Sequence, residues 1–152
     1  MVVHKEFLET AHRIVWCTVA TVDSQGRPRS RILHPYWEYD GESLTGWIVT
    51  RPTPVKVRHL AKTPYVSCSY WDPTQDVAIA DCHAEWIDHL ATRQRAWELY
   101  RDAPEPLGFD FWSVFPAGPA GETVALLRLT PYRLRLTDVD TLSGRKAPLS
   151  WP

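Results

Sequence analysis

The sequence predicts a mainly β protein, an antiparallel barrel of six or seven short strands with helices at its rim. Three observations lead there. Short runs rich in β-branched and aromatic residues recur along the chain, turn-forming stretches separate them, and helical periodicity is confined to a few segments.

In chain order, Phe7, Leu8, Ala11 and Ile14 fall at helical spacing, which predicts an amphipathic N-terminal helix within residues 1–14. Val15–Val22 then reads as a strand, Asp23–Arg27 (DSQGR) as a turn and Pro28–Leu33 as the returning strand of a hairpin. A second hairpin or meander turns at Tyr39–Glu42 and continues through a strand at Ser43–Thr50. Tyr65–Trp71 and Val77–Ile87 are further strands. From Leu90 to Asp102, Leu90, Ala96, Trp97 and Tyr100 share one helical face, which makes an exposed helix. Phe111, Trp112 and Phe115 form a short aromatic turn, and Pro116–Gly121 a loop. Thr123–Leu129 and Tyr132–Thr137 close the sheet as two strands interrupted by Thr130-Pro131, leaving 141–152 as an irregular tail. One domain spans 1–152.

Composition narrows the function. The 17 Lys and Arg residues against 18 Asp and Glu give a net charge of -1, so no global field draws the chain to nucleic acid or an anionic membrane. Three cysteines, Cys17, Cys68 and Cys82, form no CxxC pair and sit in apolar runs, as inert core thiols of a reducing cytosol do. No run of about 18 apolar residues occurs, so the expected location is cytoplasmic. The six histidines include no HExxH and no ligand-spaced pair flanked by carboxylates, so no metal site is expected. His34 and His83 lie on strands, where each reads first as a satisfied barrel residue and second as the lining of a ligand cleft.

The most informative stretch is TRPTPVKVRHLAKTP, Thr50–Pro64, which carries Arg51, Lys56, Arg58, His59 and Lys62 between two strands. Pro54 suits the first turn of a short helix over Val55–Leu60, with Thr50 or Thr53 placing a hydroxyl near its start. Free N–H groups there, with Lys56 and Arg51 beside them and Arg31 reaching in from the preceding strand pair, form a corner suited to phosphate.

The hairpin TVATVDSQGRPRSRIL, the segment VKVRHLAKTPYVSCSYW, the strand VAIADCHAEWID and the closing LLRLTPYRLRL follow one another in an order that resembles the flavin-binding split-barrel family of pyridoxamine 5′-phosphate oxidase and its deazaflavin-dependent relatives. The resemblance spans roughly residues 13–137. It implies an antiparallel six- to seven-stranded split β-barrel with peripheral helices, a homodimer with cofactors in clefts at the subunit interface, and hydride or electron transfer to or from a small planar substrate. FMN is the expected cofactor and the deazaflavin coenzyme the alternative; a non-catalytic flavin, haem or tetrapyrrole carrier is the other reading. By the resemblance, Arg31, Thr50 and Lys56 hold the phosphate, Trp47, Ile48 and Val49 run along the ring, Arg51 and Arg58 add charge, and Gln75 or Asp76 reaches the partner's cleft. The chain departs from the oxidases at Tyr36 and Val55, where they carry basic residues, and at Asp81 or Cys82, where the family commonly has a strand glycine. The tail SGRKAPLSWP lacks their Trp and Arg pattern for pyridoxal phosphate, so vitamin B6 synthesis is not expected.

Overall fold

In the computed structural model, which describes residues 2–152, the amphipathic N-terminal segment forms α1 (Val2–Ile14) and sends Val3, Phe7 and Ala11 into the core. Val15 then takes a left-handed backbone (φ 73), so the first strand starts two residues later than expected. The strands are β1 (Cys17–Val22), β2 (Pro28–Leu33), β3 (Tyr36–Tyr39), β4 (Leu44–Thr50), β5 (Tyr65–Trp71), β6 (Val77–Ile87), β7 (Ala125–Thr137) and β8 (Leu149–Trp151). All described pairings are antiparallel, in the order β2-β1-β5-β6-β7-β4-β3, with β8 added beside β7. The sheet coils without closing, as a split barrel does. Helix α2 (Pro54–Lys62) lies between β4 and β5, and α3 (Leu90–Asp102) and α4 (Phe111–Val114) between β6 and β7.

Two further expectations change. The closing pair of strands is one strand, β7, because the register shifts between Asp81 and Cys82: Asp81 faces Arg133 while Cys82 faces Pro131, so Tyr132 is the extra residue of a bulge. A bulge is where a strand tolerates a proline that cannot donate to the ladder. The tail is ordered too. Asp138 and Thr141 form a reciprocal capping box that starts the single turn α5 (Val139–Leu142), and β8 returns to pair Leu149–Trp151 with Leu134–Leu136. The merger removes one strand and β8 adds one, and with β3 beside β4 the sheet has eight strands.

Two apolar clusters result from the alternation. Inside the barrel, Val19, Trp37, Ile48, Tyr70 and Leu134 pack on α1, with Trp37 Nε1 donating to the Tyr70 hydroxyl at 2.8 Å. Cys17, Cys68 and Cys82 lie in the same interior as buried free thiols; a hydrogen bond with Cys68, then burial, pushes Cys17 up, and Cys68 is pushed up, against its bond with Cys17, by Cys82 and by burial, which keeps both protonated. Outside, Trp47 and Leu126 are covered by Ala96, Trp97 and Tyr100 of α3 and by Phe111 and Phe115. The Tyr100 hydroxyl locks this layer: it accepts the Tyr36 N–H at 2.9 Å and donates toward the carbonyl of Trp47 at 2.6 Å.

Candidate functional site

The inward positions of β1 alternate as Cys17, Val19 and Thr21, so one hydroxyl is turned into an apolar face. Its partner explains it. Arg31, on β2 beside it, donates from Nη1 to Thr21 Oγ1 at 2.8 Å and to the Val19 carbonyl at 3.2 Å. The same hydroxyl lies 2.8 Å from His59 Nδ1. His59 belongs to α2, whose first turn is set by Thr53 as N-cap and Pro54 directly after it. Helix α2 thus runs from the end of β4 back across β1.

On that helix Lys56 is turned inward and buried, and its Nζ donates to Thr50 Oγ1 at 2.6 Å. Among the described residues, neither Lys56 nor Arg31 forms an ion pair. Burial, then the nearby Arg31 charge, lowers the Lys56 ammonium from its ordinary value of 10.5 to about 8. Two cations held close together with no carboxylate between them define a site built for an anion, because the uncompensated charge is relieved when one arrives. The donor set of Lys56 ammonium, Arg31 guanidinium and the Thr50 hydroxyl fits the terminal phosphate of a flavin mononucleotide.

Three of the expected contacts, Arg31, Thr50 and Lys56, are therefore gathered in one corner. Arg51 is directed elsewhere: it donates to the Val114 carbonyl at 3.3 Å and stands over the Phe115 ring, 5.7 Å from its centroid. Arg58 is exposed on the solvent side of α2. Trp47 is turned under α3 and donates its indole N–H to Glu38 at 2.7 Å, Ile48 fills the barrel, and Val49 packs on the outer cluster. Besides the Thr50 hydroxyl, what β4 offers the corner is backbone, since among the described residues β3 pairs only with Leu44–Trp47 and no strand lies on that side of Ile48–Thr50. In the β5–β6 turn, Gln75 accepts from Trp71 Nε1 at 3.1 Å and Asp76 is held by Arg13 at 2.7 Å. The connecting residues Thr21 and His59 were not anticipated as a pair; the available signal was a threonine at an inward strand position two places from a valine.

None of the curated proteins matches the sequence. Solved structures share the fold at low identity. A protein related to general stress protein 26, from Clostridium acetobutylicum, superposes with a TM-score of 0.73 at 15% identity, over 97% of this chain and 92% of that one. A pyridoxamine 5′-phosphate oxidase-related, FMN-binding protein from Nostoc punctiforme gives 0.64 at 14% identity, over 97% and 93%. A heme binding protein from Mycobacterium smegmatis gives 0.69 at 17% identity, over 98% of this chain and 57% of that one. The family profile of pyridoxamine 5′-phosphate oxidase matches residues 3–138, a span that takes in every strand from β1 to β7 and every residue of the corner. This chain belongs to the pyridoxamine 5′-phosphate oxidase family.

Proposed function

We propose that the protein is a flavin-dependent oxidoreductase of the cytosol that holds FMN by its phosphate in the Lys56 corner, at the interface of a homodimer. The observation that carries this reading is the buried, carboxylate-free Lys56 with Arg31 beside it. When bound, FMN supplies the hydride or electron chemistry, to or from a small planar substrate. The chain supplies position. Lys56 and Arg31 neutralise the phosphate, the Thr50 hydroxyl orients the ammonium, and Thr21 joins Arg31 to His59 so that both ends of the corner move together. A single phosphate matches this corner better than the longer anionic tail of a deazaflavin coenzyme, because Arg51 is occupied at Val114 and Phe115 and does not extend the basic track.

One face supports the dimer. The outward side of β2, β1, β5 and β6 carries small residues such as Ala20, Ser67 and Ser69 between the exposed Trp16, Ile32, Tyr65 and Trp71, with Tyr132 of the bulge against Tyr65. A centre of small residues among large exposed apolar groups suits a second copy of the chain.

A carrier is the second reading, supported by the fold shared with the heme binding protein and by His34, which stands edge-on to Trp16, Tyr100 and Phe109. An absorbance spectrum of freshly purified, tag-free protein, with mass spectrometry of the released chromophore, separates the two. A flavin spectrum bleached by a reductant and restored by a planar acceptor supports the oxidoreductase. Release of haem, or a flavin that no acceptor reoxidises, contradicts it.

A further inference from the structure

A cavity of about 580 Å³ opens between the C-terminal end of α1, the start of β3 and the last turns of α3 with the segment after it, a size that suits a small organic ligand. Val15, Tyr36, Leu99 and Leu107 supply its apolar wall. The charges beside that wall are answered within the protein. Arg13 is engaged by Asp72 and Asp76, Arg95 by Glu38, and Asp102 by Arg101, whose charge also reaches Glu98. Glu98 accepts from the Gln94 amide as well, at 3.1 Å, and Glu105 is exposed and solvated. An ion entering the cavity would give up hydration there for little return.

His12 is different. Its Nε2 accepts the Trp37 backbone N–H at 2.9 Å, which puts the proton of the neutral ring on Nδ1. Burial lowers the His12 pKa to about 4, so the ring is neutral near pH 7 and this tautomer is fixed. Among the described residues Nδ1–H has no acceptor, and it is not sealed off as the Nδ1 atoms of His4 and His34 are. The Tyr36 ring stands tilted beside the imidazole, 4.8 Å between centroids. The cavity thus has an apolar wall and one half-buried donor, oriented by the backbone and still lacking its acceptor.

We propose that this cavity binds a small neutral molecule, a carbonyl on a flat apolar body, whose oxygen accepts the His12 Nδ1–H while the body lies against Tyr36 and Leu99. A carbonyl oxygen answers such a donor and brings no hydrogen of its own to be satisfied, whereas an amine or a carboxylate brings a charge that the wall does not pair. The inference does not rest on the flavin reading, since no residue of the phosphate corner lines the cavity.

The test is an NMR titration of the full-length protein with acetophenone, benzylamine and benzoate, following the backbone amides and the ring nitrogens of the histidines. Acetophenone should give saturable shifts at the Leu99 and Leu107 amides and move the His12 Nδ1–H resonance over the same concentrations. Both ions should bind about tenfold more weakly, because neither recovers its lost hydration. Leu99→Trp, which fills the cavity and whose spectrum reports that it is folded, should abolish the acetophenone shifts. No saturable binding of acetophenone, equal or tighter binding of either ion, a His12 resonance that stays still while the amides move, or undiminished binding by folded Leu99→Trp would each overturn the proposal.

Discussion

Lys56 is the residue where stability and binding pull in opposite directions. Its ammonium is buried without a carboxylate, so the fold bears a desolvation cost that a bound phosphate removes. Lys56→Met should therefore raise the melting temperature of the ligand-free protein while weakening FMN about 10- to 100-fold, the weight of a hydrogen bond to a charged group. Differential scanning fluorimetry and a flavin titration check the pair, and a variant that loses both stability and affinity would mean Lys56 is structural. The pH dependence has a fixed sign. The folded pKa, about 8, lies below the ordinary 10.5, so the unfolded chain holds more protons between these values and ligand-free stability rises with pH across that window. FMN needs the ammonium, so its affinity should be level just below pH 8 and fall by up to about tenfold per pH unit above it, which calorimetry over pH 7 to 10 would reveal. Lys56 and Thr50 were readable from the sequence because they flank Pro54, which starts a helix, and Arg31 because the hairpin that carries it resembles the family's. Thr21 was not, since a threonine in a strand is ordinary until its partner across the fold is known.

At the scale of elements, the hairpins were legible because period-2 alternation and turn residues are local signals. The bulge that merges the closing strands into β7 was hidden because it depends on β6, far away in sequence, which decides how Tyr132 is accommodated. The tail was hidden for a similar reason: Leu149 and Trp151 acquire strand geometry from β7, and Trp151 meets His4 of α1 edge-on at a centroid distance of 4.6 Å. Trp47 was read as a ring neighbour of the cofactor, but its register opposite Tyr36 puts it under α3. The same hairpin contains a necessary glycine. Gly46 faces Trp37, and a Cβ at Gly46 would lie 2.7 Å from the indole. Gly46→Ala should destabilise the protein by about 1–3 kcal/mol through overpacking, measured by chemical denaturation. An unchanged midpoint would show that Trp37 has room to move.

For the whole molecule, a net charge of -1 conceals a local basic corner at Lys56 and Arg31. Net charge says nothing of this arrangement, which only the fold creates. No helix among the described residues is long and apolar enough to cross a membrane. The exposed aromatic face predicts a dimer that Trp71→Glu should convert to monomer in sedimentation equilibrium; a wild-type monomer would remove that interface. The central claim is that the corner reads a phosphate, and the most direct measurement compares FMN with riboflavin, which lacks that group, for the wild type and Lys56→Met. The wild type should prefer FMN, Lys56→Met should lose most of that preference, and riboflavin should bind both equally. Equal weakening of the two flavins by the substitution, or no preference for FMN in the wild type, would contradict it.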